Sequence, residues 1–142
     1  MARIVFELEV EAPAERIVEA LDTEDGIAGW WTADVDFAGG VGSIMKPGFP
    51  IAPVPFELSV DEVGLGRLAW TSVGEFPPHW AGTRVIWTLT PTAAGTLVHF
   101  SHDGWASDEG PFASSALTWG RLMDTLKTYA ETGVAAPLFP KG

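Results

Sequence analysis

Apolar and polar positions alternate from Ile4 to Val10, with Ile4, Phe6, Leu8 and Val10 on one side and Glu7 and Glu9 on the other, which predicts a half-buried strand. Past Pro13 the period changes. Ile17, Val18, Ala20 and Leu21 recur at helical spacing behind a proline suited to a first turn and a glutamate, Glu15, that complements the N-terminal dipole. Asp22 or Thr23 is placed to cap a second short helix, whose length Gly26 and Gly29 limit before Trp30-Trp31. From Thr32 to Pro53 glycine and proline interrupt every pattern, and the short apolar pieces around Val35, Phe37, Ile44 and Met45 fit brief strands between tight turns. The run Pro47 to Pro53 cannot be regular helix, and its apolar side chains suit a flap over a greasy surface.

Clearer strands follow at Val54 to Val63, Arg67 to Val73, Thr83 to Thr90 and Thr96 to Asp103. The turn Gly64-Leu65-Gly66 joins the first two as a hairpin and Pro91 to Gly95 joins the last two, so the sheet is expected to be antiparallel. The strongest helix signal comes next, with Ser107 or Asp108 as cap, Pro111 early, and Phe112, Ala116, Trp119, Met123, Leu126 and Tyr129-Ala130 as one stripe ended by Gly133. Such a helix, about 20 residues or roughly 30 Å long, can cross a whole sheet. Residues 134–142 read as a tail, and 1–142 as a single α+β domain.

Composition changes this picture in three ways. Hydrophobic residues are 46% and charged residues 19% of the chain, which implies a large interior relative to surface. A net charge of −11 with no Lys/Arg cluster argues against nucleic acid and anionic membranes, while leaving room for a neutral small molecule or a basic protein partner. No cysteine, no signal-peptide core and no apolar run of spanning length are present, so disulfides and thiolate chemistry drop out and a cytoplasmic location without membrane insertion is expected.

The element order, with the strings EAPAERIVEAL, GIAGWWT, VIWTLTP, GTLVHFSHDGW and WGRLMDTLKTYAETG, resembles the Bet v 1-like or START-like (SRPBCC) superfamily, in its bacterial branch related to the activator of Hsp90 ATPase. The resemblance covers nearly the whole chain and is weakest from Thr32 to Pro53. It implies a helix-grip fold, in which a curved antiparallel sheet wraps the long C-terminal helix and leaves a cavity that related proteins use for lipids, hormones or polyketides.

Seven tryptophans in this length are many, and Trp30, Trp31, Trp70, Trp87 and Trp119 fall on elements expected to face inward. With Phe56, Leu58, Phe100, His102 and Met123 they form the candidate ligand-binding set; each, taken singly, is also an ordinary core residue. His102 alternates with Val98 and Phe100 toward the interior, which makes it the candidate for a polar contact or a general acid/base, against the plainer reading of a histidine satisfied by its neighbours. His99 and His102, three apart in a strand, point to opposite faces and should not share an ion, and His79 lies in a loop near the expected cavity mouth. No metal or cofactor is implied, and no catalytic signature can be singled out. The leading expectation is therefore binding, for sequestration or transport, of a small hydrophobic or aromatic molecule between sheet and long helix. The alternatives are a cyclase- or aromatase-like enzyme using the cavity as a chamber, and an Hsp90-activator-like protein-interaction module.

Overall fold

The computed structural model describes residues 2–140. Its elements run β1 (Ala2–Val10), α1 (Ala14–Asp22), α2 (Glu24–Trp30), β2 (Val35–Asp36), β3 (Ile44–Pro47), β4 (Leu58–Val63), β5 (Arg67–Ser72), a 3-10 turn (Pro78–Trp80), β6 (Arg84–Pro91), β7 (Thr96–Trp105) and α3 (Pro111–Thr132). The seven strands form one antiparallel sheet in the order β1-β7-β6-β5-β4-β3-β2. With α3 lying across it and the two short helices at one end, this is the helix-grip architecture anticipated from the element order. No helix among the described residues is long and apolar enough to cross a membrane.

Strand register explains what faces inward. On β7, Val98, Phe100 and His102 are buried while Leu97, His99 and Asp103 are not, and Trp87 on β6 sits opposite Phe100. Both ends of the apolar period thus feed one interior, onto which α3 presses Trp119, Leu122, Met123, Leu126 and Ala130.

Three boundaries differ from the pattern reading. The strand expected from Val54 begins only at Leu58; before it Phe56 uses its N–H on the Pro47 carbonyl (3.0 Å) as part of a loop. β7 runs on through Gly104 to Trp105, because Gly104, at a φ of 92°, is the extra residue where the register shifts: Asp103 pairs with Arg3 and Trp105 with Ala2. The long helix starts at Pro111, after Gly110 at a φ of 56°, and not at a Ser107 or Asp108 cap; Ser107 instead accepts the Glu109 N–H at 3.1 Å in the preceding turn.

The two glycines of α2 end nothing; they permit close approach. Thr23 caps this helix by accepting the Gly26 N–H at 2.9 Å, as its position suggested. A Cβ at Gly26 would overlap the Glu19 carbonyl oxygen and lie 2.7 Å from Ala20 Cα, and one at Gly29 would strike the ring of Tyr129. The Tyr129 hydroxyl donates to Glu19 (2.9 Å), and burial, reinforced by that carboxylate, pushes its pKa up to about 12. Helices α1, α2 and α3 therefore meet at a corner with no room for a methyl group. Gly26→Ala is expected to cost about 2 kcal/mol despite the gain in helix propensity, because the obstacle is backbone that cannot rotate away. An unchanged midpoint in urea denaturation would contradict this packing.

Of the segment read as a tail, residues 141–142 lie outside the described residues, and 134–140 dock in the fold. Ala136, Leu138 and Phe139 donate their backbone N–H groups to the carbonyls of Gly29, Trp30 and Trp31 at 3.0–3.2 Å, and Ala33 donates to the Phe139 carbonyl at 3.0 Å. A parallel bridge between Thr32 and Phe139 results.

Candidate functional site

Five pieces of chain converge on one mouth. The N-terminal half of α3 supplies Ser114, Ser115, Thr118, Trp119 and Leu122; the loop before β6 supplies Phe76, Pro77, His79 and Trp80. Residues Phe49, Ile51, Ala52 and Phe56 come from the glycine- and proline-rich flap, Trp31 from the end of α2, and Phe139 from the docked closing segment. Together they enclose an open pocket of about 350 Å³. Its floor is buried indole and leucine, with Trp31, Trp119 and Leu122 no more than 2% exposed. Its rim is aromatic, Phe49 lying 4.7 Å from Phe56 and 5.0 Å from Phe139 between ring centroids. Ile51, 97% exposed, stands at the lip.

Beneath the floor the interior is filled. Trp30, Leu58, Trp70, Trp87 and Phe100 are fully buried and Met123 nearly so. All seven tryptophans belong to this assembly, from Trp31 stacked on Trp30 (5.6 Å) and Trp70 (6.2 Å) to Trp80 stacked on Trp119 (6.0 Å). Of the ten residues expected to contact a ligand, the pocket thus brings together Trp31, Phe56 and Trp119, and the other seven lie in the packing behind them. The two loops expected at the entrance, Pro47 to Pro53 and Pro77 to Trp80, both border it.

His102 shows how the floor is held. The Trp119 indole N–H, which can only donate, points at His102 Nδ1 across 3.1 Å, so that nitrogen carries no proton. The ring proton is then on Nε2, which donates to Thr83 Oγ1 (2.8 Å), and Thr83 in turn donates to the Trp80 carbonyl (2.6 Å). The loop closes on α3, because the Trp80 indole N–H donates to Ser115 Oγ at 3.3 Å. Fully buried and satisfied at both nitrogens, His102 is neutral; burial, and secondarily the His79 charge, lower its pKa to about 3. Neither ring nitrogen is left to meet a molecule in the pocket. His79 stacks on Trp105 (5.9 Å) at the rim, its pKa lowered by burial.

Three buried polar atoms have no partner among the described residues: Trp70 Nε1, Trp87 Nε1 and Ser72 Oγ. Trp70 and Trp87 meet edge to face at 5.7 Å, so the indoles at the centre of the cluster are held by packing alone. Among the described residues, no group of three His, Cys, Asp or Glu side chains is placed to hold a metal ion. His99 lies on the outer face of β7, away from His102.

The pocket residues that the pattern did not single out are of two kinds. Phe139 follows the last periodic element, and nothing in its neighbours announces a pairing with Thr32. Ser114, Ser115 and Thr118 sit on what reads as the solvent side of an amphipathic helix. Leu122, by contrast, is one position from the predicted stripe residue Met123 and could have been found by widening that stripe.

Comparison with known proteins bears on this arrangement. The model of the activator of Hsp90 ATPase homolog 1-like protein family matches residues 11–131. Among solved structures, the Aha1 dimer from Colwellia psychrerythraea is 30% identical, with a TM-score of 0.83 over 94% of this chain and 98% of that one. An AHSA1-like protein from Aeromonas hydrophila is 22% identical (TM-score 0.68, 93% and 94% covered). DynU16, from the dynemicin biosynthetic locus, is 23% identical (TM-score 0.76), the match covering 98% of this chain and 51% of that larger one. No curated protein sequence matches the chain.

Proposed function

We propose that this chain, which belongs to the activator of Hsp90 ATPase homolog 1-like family, takes up a small hydrophobic or aromatic molecule in the mouth between α3, the flap and the closing segment, and sequesters or carries it. The observation that carries the reading is the wall itself. A folded domain rarely leaves Phe49, Phe56 and Phe139 half-exposed around an open space floored by indoles unless something apolar fills it, since each ring edge left wet forfeits burial worth roughly 25 cal/mol per Å². At about 350 Å³ the space lies within the range of small-molecule sites. An enzymatic role draws no support from His102, whose two nitrogens are committed to Trp119 and Thr83.

N-phenyl-1-naphthylamine, a neutral dye, is a suitable probe because Trp31, Trp80 and Trp119 line the pocket and quench as it enters. Saturable binding with a blue-shifted dye emission is expected. Thr118→Trp, which adds a ring from a half-exposed helix position into the same space, should weaken binding by at least roughly tenfold while leaving the far-ultraviolet spectrum intact. Linear, unsaturable partitioning, or equal binding by the filled variant, would remove the proposal.

The likeness to the Colwellia psychrerythraea Aha1 over nearly the full chain favours a second reading, a protein-interaction module whose surface of net charge −11 meets a basic partner. Such binding would fall steeply between low and physiological salt; pull-downs indifferent to salt, or empty, would count against it.

A further inference from the structure

The polar groups of the pocket are confined almost entirely to one strip of α3, and they are not equivalent. Ser114 Oγ donates to the Pro111 carbonyl (3.2 Å) and Thr118 Oγ1 to the Ser114 carbonyl (3.1 Å), so both hydroxyl protons are used within the helix. Ser115 is different. Its oxygen accepts the Trp80 indole N–H at 3.3 Å, and its own proton finds no acceptor among the described residues. A hydroxyl held in place by an indole and still carrying a free proton is a donor waiting for an acceptor.

The rest of the lining restricts what that acceptor can belong to. Among the described residues no Lys, Arg, Asp or Glu side chain borders the pocket, and desolvation lowers the His79 pKa below its ordinary value, disfavouring its charged form. A carboxylate entering here would lose its water without gaining a cation, inside a protein that already carries a net charge of −11. The half-exposed rings of Phe49 and Phe56, over a floor of buried Trp31, Trp80 and Trp119, favour a flat aromatic partner that can pack against them.

We propose that the pocket selects uncharged, planar aromatic carbonyl compounds, with the Ser115 hydroxyl donating to the carbonyl oxygen. This rests on the ligand-binding reading above and specifies its ligand class. The donor already sits beside Trp80, so a bound ketone is oriented with its oxygen toward α3 and its rings toward the flap.

Fluorene and fluorenone, identical in shape except for one carbonyl oxygen, test this directly when titrated by tryptophan quenching and by calorimetry. Wild type should bind fluorenone roughly three- to tenfold more tightly than fluorene, the return on one hydrogen bond. In Ser115→Ala that preference should fall to about one, and Ser115→Thr, which keeps a hydroxyl, should restore it. Fluorenone-2-carboxylate should bind at least roughly tenfold more weakly than fluorenone, an effect that added salt only partly relieves. Equal affinities for fluorene and fluorenone in wild type, a preference that survives Ser115→Ala, or full affinity for the carboxylate would overturn the assignment and leave the pocket reading standing. Failure of all three compounds to bind would overturn the pocket reading itself, and this assignment with it.

Discussion

Lowering the pH from 7 to 4.5 is expected to remove about 2–3 kcal/mol from the folded state through His102 alone. In the unfolded chain this imidazole takes up a proton near its ordinary value of 6.5, whereas in the fold it stays neutral until about pH 3. Between those values the unfolded state binds one more proton than the native state, so stability is fully present above pH 6.5 and is lost progressively as pH falls toward 3. Protonating the folded ring is resisted first by burial, and it would also require Nδ1 to give up the Trp119 N–H it now accepts. Many carboxylates also contribute to acid denaturation in so acidic a chain, so the informative quantity is a difference. His102→Gln should be less stable than wild type by about 1–3 kcal/mol at pH 7, and that gap should narrow at pH 4.5 as the titrating group is gone. Denaturant titrations of both proteins at the two pH values measure it, and parallel pH dependence would show that His102 does not carry the effect.

Trp119 is the residue whose loss should cost most. It is 1% exposed, packs on Phe100 at 4.6 Å and on Trp31 at 5.2 Å, and supplies the only hydrogen bond to His102 Nδ1 among the described residues. Trp119→Ala should destabilise by about 3–5 kcal/mol, enough to lower the thermal midpoint by some ten degrees in a chain of this size. Phenylalanine separates packing from hydrogen bonding. Trp119→Phe leaves a bare acceptor on buried His102, while Trp87→Phe removes an indole N–H that has no partner. The two changes lose the same atoms, so Trp119→Phe should be worse by about 1–3 kcal/mol, the cost of the orphaned nitrogen. Equal losses would mean that the Trp119 bond to His102 is energetically idle.

How much of this could be read along the chain depends on whether neighbours in sequence or neighbours in space decide a feature. The hairpins, the Thr23 cap and the stripe of α3 were legible because period and turn chemistry are local. Val54 and Phe56 continued the alternation of the next strand, but alternation records which side chains want burial and not whether the backbone is paired, and Phe56 meets its burial in the pocket rim instead. Gly26 and Gly29 looked like breakers for the same reason: the atoms that exclude a side chain there belong to Glu19, Ala20 and Tyr129, the last a hundred residues away. The inward direction of the tryptophans was readable. That the deeper ones pack between sheet and helix, with the open pocket lying above Trp31, Trp119 and Leu122, is a property of packing that no periodicity encodes.

The indole cluster has an optical consequence. Each tryptophan ring centre lies within 6.4 Å of another, forming one continuous path from Trp70 and Trp30 through Trp31 and Trp119 to Trp80 and Trp105. At such separations excitation absorbed by one indole migrates among all of them before it is emitted. The seven chromophores therefore behave as a single antenna, with coupled bands in the near-ultraviolet, whose light leaves from whichever ring is lowest in energy. A guest touching any one of Trp31, Trp80 or Trp119 drains the whole antenna, so quenching registers occupancy with high sensitivity and says nothing about which ring the guest faces.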